Sequence, residues 1–423
     1  MRILFVSNYY PPYERGGYEQ LCRDVAAALR VRGHDVHVIT SDCGVSTSRV
    51  EAGIYRVLRT EVDWRPYLGT IGYFLGRDRR ERETVARFRR VLEGVRPDIL
   101  FVWGMYNLPR ALLAVAENWG AVEVVYYLCD YWPALPEAYV LHWQEPALHP
   151  VLSPAKQWLG KLASPESRGY RPRLDHAVCV SEAVRQRLRE AGWPLERAPV
   201  IHNGIDPAPF LGRARTWNRR QPSAPLEALY AGRVSPEKGI ETAIDALARV
   251  RDLGLPAHLS IVGRGPRGYV AGLKATVRRR GLKAAVAFRN WVARDEMPGL
   301  LAGCDALICP SVWAEPLPRS LQEAMASCKV AVASRVGGIA ELIRDDENGM
   351  LFPAGDAGAL ARQLERLIRD PDLGSRLALA GMQTIIDGFT IARMVDEVEG
   401  YLLKLAEVRQ AICTKAASRL AAT

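Results

Sequence analysis

The sequence predicts an α/β protein made of two doubly wound parallel-sheet units. Short, continuously apolar runs bounded by Gly and Pro alternate with stretches whose apolar residues fall at helical spacing. That alternation is sustained through the chain, as a parallel sheet with covering helices requires. It is interrupted by a Pro- and Arg-containing polar stretch at 207–225, and 423 residues are too many for one ordinary core.

Arg2 to Ser7 (RILFVS) reads as a buried strand, and a loop rich in Tyr, Pro and Gly follows it. From Tyr18 to Val31 the apolar residues Leu21, Val25, Ala28 and Leu29 keep helical spacing and close on Gly33, before a strand at Val36 to Thr40. Gly16 and Gly17 stand immediately before that helix, where glycine admits close backbone approach and a helix start favours an anion. Further strands are expected at Ile54 to Leu58, Asp98 to Trp103, Val122 to Leu128 and His176 to Val180, with helices near Arg79 to Glu93 and Leu108 to Trp119. Between Tyr131 and Arg173 the pattern dissolves into an aromatic loop, and long loops in compact domains are usually functional or mobile. Tyr131, Trp132, Tyr139, Trp143 and Trp158 suit either an acceptor surface or the packing of that loop.

The second unit opens with a strand at Leu226 to Ala231, then GRVSPEKG and a helix with Ile240, Ala243, Ile244 and Leu247 on one face. Arg233 and Lys238, five residues apart at a strand's carboxyl end, are placed for a diphosphate. Leu259 to Pro266 is a strand and a Gly-x-Gly turn without the third glycine of a dinucleotide fingerprint, which counts against a nicotinamide dehydrogenase. After a buried strand at Ala306 to Cys309, Glu315 lies in a loop before a helix that Pro318 can start, and Glu323 follows eight residues later. Pro318 to Glu323 spans about 7 Å of helix, so the two carboxylates bracket a helix start able to hold an anion. A ligand anionic in the middle and hydroxyl-rich at both ends fits this layout, as a nucleotide sugar does; two solvated glutamates are the plain alternative. Asp370-Pro371-Asp372 fits an Asp-x-Asp metal motif formally but reads as a helix-end turn. Helices continue through Met394 to Val408, before a tail expected to fray.

Composition bounds the function. The apolar fraction of 48% and charged fraction of 25% are those of a soluble globular protein. There is no run of roughly 18 apolar residues and no signal peptide, so cytoplasm is the default expectation. The eight cysteines are scattered without a Cys-x-x-Cys pair, and the seven histidines show no metal spacing, so no metal or cofactor is expected. A net charge of +10 implies an anionic partner, but no nucleic-acid motif accompanies it. The arginines of Gly76 to Arg90, mixed with Asp78, Glu81 and Glu83, suit either a solvated, ion-paired helix or peripheral contact with an anionic membrane.

The stretch Trp313 to Glu341, with Glu315, Glu-Ala-Met-Ala from Glu323, and Gly337-Gly338-x-x-Glu341, resembles the signature of family 4 retaining glycosyltransferases of the GT-B fold. Gly-Arg-x-x-x-x-Lys-Gly at 232–239, Gly263-x-Gly265-Pro266, Asn203-Gly-Ile-Asp206, Ser181-Glu182 and the N-terminal Gly16-Gly17 match in the same order, from Arg2 to about Leu405. The resemblance implies two Rossmann-like domains facing a central cleft: 1–206 for the acceptor, a linker at 207–225, 226–388 for the donor, a helix at 389–408 crossing back, and a tail at 409–423. It implies metal-independent sugar transfer, with retention, from a nucleoside-diphosphate sugar to a hydroxyl of a glycan, a lipid-linked sugar or a small molecule, as in polysaccharide biosynthesis. Arg233 and Lys238 would stabilise the leaving group, Glu315 would meet the donor sugar and Glu323 the ribose, with Gly16, Gly17, Gly263, Val292, Leu317, Ser320 and Leu321 lining the donor. Leu317-Pro318 replaces the family's Phe-Gly, which moves the diphosphate to later amides. Cys129 stands where the family carries His, leaving Asp130 as the polar group near the reaction, with Tyr131 and Trp132 on the acceptor side. A nucleotide-sugar epimerase of the same fold and a non-catalytic nucleotide-sugar binder are the alternatives; donor base, sugar, acceptor and oligomeric state stay open.

Overall fold

The computed structural model describes residues 1–13, 16–43, 49–51, 53–62, 76–120, 122–138, 140–141, 153–154, 169–211 and 224–421. Tyr139, Trp143, Trp158 and most of the expected linker, 212–223, lie outside these. The chain forms two compact units: Met1–Val180 with Val184–Ile201 and Val395–Thr423, and Ser181–Ala183 with His202–Met394.

The first unit is built on strands β1 (Arg2–Ser7), β2 (Asp35–Ser41), β3 (Arg49–Glu51), β4 (Ile54–Leu58), β5 (Ile99–Gly104), β6 (Glu123–Leu128) and β7 (His176–Cys179). Their order is β3-β4-β2-β1-β5-β6-β7. All neighbours are parallel except β3 on β4, an antiparallel edge that the expected pattern lacked. β1 is central, and Ile3, Leu4, Phe5 and Val6 are at most 1% exposed, which explains its unbroken apolar run. Helix α1 (Gly17–Val31) buries Leu21, Cys22, Val25, Ala26 and Leu29, and α2 (Arg77–Val95) buries Thr84, Phe88, Leu92 and Val95. Helices α3 (Ala111–Glu117) and α4 (Glu182–Glu190) follow; α3 is shorter than Leu108 to Trp119.

The second unit has strands β8 (Leu226–Ala231), β9 (Ala257–Val262), β10 (Val286–Arg289), β11 (Ala306–Cys309), β12 (Val330–Ser334) and β13 (Met350–Phe352). They are ordered β10-β9-β8-β11-β12-β13 and all parallel. Helices α5 (Ile240–Asp252), α6 (Arg267–Arg279), α7 (Arg319–Ala326), α8 (Ile339–Leu342), α9 (Ala357–Arg369) and α10 (Pro371–Gly388) belong to this unit. Ile240, Ala243, Ile244 and Leu247 of α5 enter the core with Leu360, Leu364 and Leu367 of α9. Asp370 caps α10 by accepting the Leu373 amide at 3.0 Å, so Asp370-Pro371-Asp372 is a helix start. Helix α11 (Ile391–Ala421) runs past the expected end at Val408, through what was expected to be a frayed tail. From Val395 onward it belongs to the first unit, where Asp396 and Glu399 hold Arg32 at 2.5 Å and Glu399 holds His34 at 2.6 Å.

Candidate active site

In an open α/β sheet, ligands bind beyond the carboxyl ends of the strands where the strand order reverses. In the second unit that point lies between β8 and β11. After β8 the chain passes Gly232 and Arg233, makes a short 3-10 turn at Pro236–Lys238, and enters α5 through Gly239 at φ +63°. The glycines here are required by neighbouring backbone. A Cβ on Gly239 would lie 2.0 Å from the Pro310 carbonyl oxygen, and one on Gly263 would lie 1.8 Å from that of Gly232. The turns after β8, β9 and β11 are thereby stacked backbone on backbone.

This stacking brings together side chains far apart in sequence. Lys238 Nζ donates to Glu315 Oε1 at 2.6 Å, and the Ser311 hydroxyl donates to the same oxygen. Glu315 is 5% exposed, and its Oε2 takes no hydrogen bond from the described residues. Its loop is fixed from behind: the Gly338 amide donates to the Glu315 carbonyl at 2.8 Å, and a Cβ on Gly337 would meet that oxygen at 2.1 Å. Burial pushes the nearby Cys309 thiol up to about 12, with the Glu315 charge adding to it. Burial also pushes the Tyr230 hydroxyl up, and it donates to the Arg233 carbonyl. Burial would raise the Glu237 carboxyl, but hydrogen bonds from Ser235 and from backbone, with the charges of Arg233 and Lys238, hold it below its usual range.

Helix α7 begins at Arg319, with Pro318 as its N-cap at ψ 121° rather than its first helical residue. Glu323 is 7% exposed, so neither it nor Glu315 is a solvated glutamate. Ser320 is half-buried and Leu321 buried; the Leu321 amide already donates to the Pro318 carbonyl at 3.2 Å. Leu317 is buried and its carbonyl accepts from Asn203 Nδ2 at 3.2 Å, while Gln322 Nε2 donates to the Asn203 carbonyl at 2.8 Å. Arg233 stands apart: its side chain is 63% exposed and lies 3.6 Å from Glu237, with no bond to Lys238 or Glu315. Val292 lies in the loop beyond β10, whose end reaches Gly263 through the Gly263 amide and the Arg289 carbonyl at 3.2 Å. Beside it Trp291 is 49% exposed under the Arg264 guanidinium, 5.5 Å from its ring centre, a pair that pattern reading missed.

In the first unit the strand order reverses between β1 and β5. Asn8, just past β1, is buried, accepts from the Tyr18 hydroxyl at 2.7 Å, and packs on Gly104, where a Cβ would lie 2.9 Å from both. Gly16 is extended, α1 starts at Gly17, and a Cβ on Gly16 would lie 3.4 Å from Glu19 Oε2. Asp130 follows β6, half-buried, with Oδ1 accepting the Trp132 amide at 2.8 Å; burial pushes its carboxyl up to about 6. Burial also raises the Tyr18 hydroxyl and the Cys129 thiol, with the charges of Glu19 and Asp130 adding to both. Tyr131 and Trp132 are 3% and 5% exposed, and the guanidinium groups of Arg187 and Arg110 lie over them. Both rings are thus largely covered by protein in this structure. Among the described residues no cluster of His, Cys, Asp and Glu could hold a metal, and no helix is long and apolar enough to cross a membrane.

Two family models match, one in each half of the chain: Glycosyltransferase Family 4 over residues 15–209, and Glycosyl transferases group 1 over residues 216–383. The chain belongs to the group 1 and family 4 glycosyltransferases. A glycogen synthase of Mycobacterium tuberculosis is 28% identical over 404 residues, covering 92% of this chain and 91% of that protein. The GDP-mannose-dependent alpha-(1-6)-phosphatidylinositol dimannoside mannosyltransferase of the same species is 27% identical, covering 82% of each. Among solved structures, Anabaena Alr3699/HepE in complex with UDP-glucose matches with a TM-score of 0.67 at 22% identity, covering 96% of this chain and 100% of that one. This glycosyltransferase thus has the GT-B fold.

Proposed function

We propose that this glycosyltransferase moves a sugar from a nucleoside diphosphate to a hydroxyl of a glycan, a lipid-linked sugar or a small molecule, with retention at the anomeric carbon and without a resident metal. The observation that carries the reading is the buried Lys238–Glu315 contact at the switch point of the second sheet. One oxygen of Glu315 is held by Lys238 and Ser311, and the other is left for a sugar hydroxyl. Lys238, Arg233 and the start of α7 are the groups for the diphosphate.

In the reaction the anomeric C–O bond to the diphosphate breaks and its electron pair leaves on the phosphate oxygen. Lys238 and Arg233 stabilise that growing charge, the kind of preorganised electrostatics that usually dominates such a step. The acceptor oxygen forms the new bond to the anomeric carbon, and its proton passes to a base. Asp130, with its raised pKa near 6, is suited to take that proton.

Incubating the purified protein with UDP-, GDP- and ADP-sugars, sugar acceptors and a chelator tests this. One donor is expected to release nucleoside diphosphate in step with a glycoside of unchanged anomeric configuration. Interconversion of the donor without transfer would establish the epimerase alternative, and binding without turnover would establish a nucleotide-sugar binder.

We also propose that the enzyme works in the cytoplasm, resting on an anionic membrane through α2. Arg79, Arg82, Arg89 and Arg90 are exposed on that helix, and Glu83 pairs with Arg79 at 2.9 Å. Salt-sensitive sedimentation with phosphatidylglycerol vesicles, weakened by Arg82→Glu with Arg89→Glu, is expected; no sedimentation would remove the membrane reading.

A further inference from the structure

Glu341, the last residue of the Gly-Gly-x-x-Glu stretch, makes contacts that have nothing to do with an open ligand face. Its Oε2 accepts the Glu182 amide at 2.9 Å and His202 Nε2 at 2.8 Å, and its Oε1 accepts the Ala183 amide at 2.9 Å. Burial would raise this carboxyl, but the His202 bond and the two amides outweigh it and hold the group below its usual range. The two amides open α4, where a helix has donors without partners of its own.

The partners have a particular place in the chain. Ser181–Ala183 belong to the second unit, Val184–Ile201 to the first, and the chain re-enters the second at His202. Glu341 therefore bonds residues of its own unit on either side of the 184–201 segment. His202 is tied again from its other side: its carbonyl accepts from Arg393 at 2.6 Å, and its ring lies 5.4 Å from that of Phe389. The segment just beyond it is pinned through the Ile205 amide to Phe389 at 3.0 Å and the Ile391 amide to Ile205 at 2.8 Å.

The same knot touches the segment that carries Glu315. A Cβ on Gly338 would lie 2.0 Å from the Pro316 carbonyl oxygen and 3.0 Å from the Ser181 side chain. Asn203, next to His202, bonds the Leu317 carbonyl and accepts from Gln322 of α7.

We infer that Glu341 is a positioning residue: within the second unit it ties residues 182–183 to His202 and thereby fixes the loop that places Glu315 and Leu317. It touches no substrate in this assignment. Its effect passes through residues 181–183 and 202–203, so its loss lowers turnover while leaving nucleotide binding in place. The kinetic consequence rests on the transferase reading; the clamp itself does not.

The test uses the full chain with Glu341→Ala and Glu341→Gln, the second keeping one acceptor oxygen should the first fail to fold. Amide hydrogen exchange at Glu182 and Ala183 is expected to quicken about 10-fold or more in Glu341→Ala, with β11 and β12 unchanged. In the same variant kcat is expected to fall about 10-fold or more, while nucleoside-diphosphate affinity stays within about 3-fold. Glu341→Gln is expected to lie between. Unchanged exchange at 182 and 183 would overturn the clamp whatever the activity. Faster exchange with affinity falling as steeply as kcat would make Glu341 a ligand residue instead.

Discussion

Replacing Asp130 by Asn should stabilise the protein and disable it together. Burial raises the Asp130 carboxyl from 3.8 to about 6, a shift of roughly two pH units, worth about 3 kcal/mol at about 1.4 kcal/mol per unit. Asp130 keeps some solvent contact, so about 2 kcal/mol is the working figure. The folded pKa is the higher one, so the folded state binds more protons between about pH 4 and pH 6. Stability from this group is therefore lost as pH rises through that window, and the cost is complete above about 6. Asn carries no charge and keeps the oxygen that accepts the Trp132 amide.

Scanning calorimetry at pH 7.5 should find the Asp130→Asn variant about 2 kcal/mol more stable, or about 5 °C in Tm, with the gain vanishing near pH 4. A variant less stable at pH 7.5, or equally stabilised at both pH values, would refute the burial argument. The wild-type transfer rate should rise through a limb near pH 6 that the variant lacks, and unchanged turnover in the variant would sink Asp130 as the base.

Lys238→Ala and Arg233→Ala should each lower kcat more than donor affinity, Lys238→Ala by about 100-fold or more; effects confined to donor affinity would contradict the leaving-group role. Lys238→Ala should also cost about 3 kcal/mol in denaturant unfolding, because it unpairs the buried Glu315. Gly239→Ala should cost at least about 2 kcal/mol and abolish turnover, since its Cβ would lie 2.0 Å from the Pro310 carbonyl oxygen at φ +63°; a fully active, stable variant would show that the turn can move. The Glu341 carboxyl is held low in the folded state, so its stabilisation is present above the ordinary carboxylate pKa and lost as pH falls below that range. Glu341→Gln should accordingly flatten the acid limb of a stability-against-pH curve, and an unchanged limb would count against it.

The sheets were legible because their strands are short and continuously apolar: β1 and β8 start and stop where the pattern does. The antiparallel β3 was not, since three residues carry too little periodicity. Lys238 and Glu315 could each be singled out by local pattern, but their bond joins positions 77 apart and needs the switch point to bring them together. Glu341 looked like part of a motif without a task, because its partners lie 139 to 159 residues away. Tyr131 and Trp132 could not be placed by composition, because aromatic rings suit a sugar and a packed loop equally; the structure shows both buried.

Isothermal titration of nucleoside diphosphates into the wild type and Lys238→Ala, in the presence of a chelator, tests the central claim most directly. One preferred nucleoside diphosphate is expected to bind at a single site, with Lys238→Ala weakening it measurably, though less than it lowers turnover. Binding that is indifferent to Lys238, or that requires a divalent metal, would contradict it.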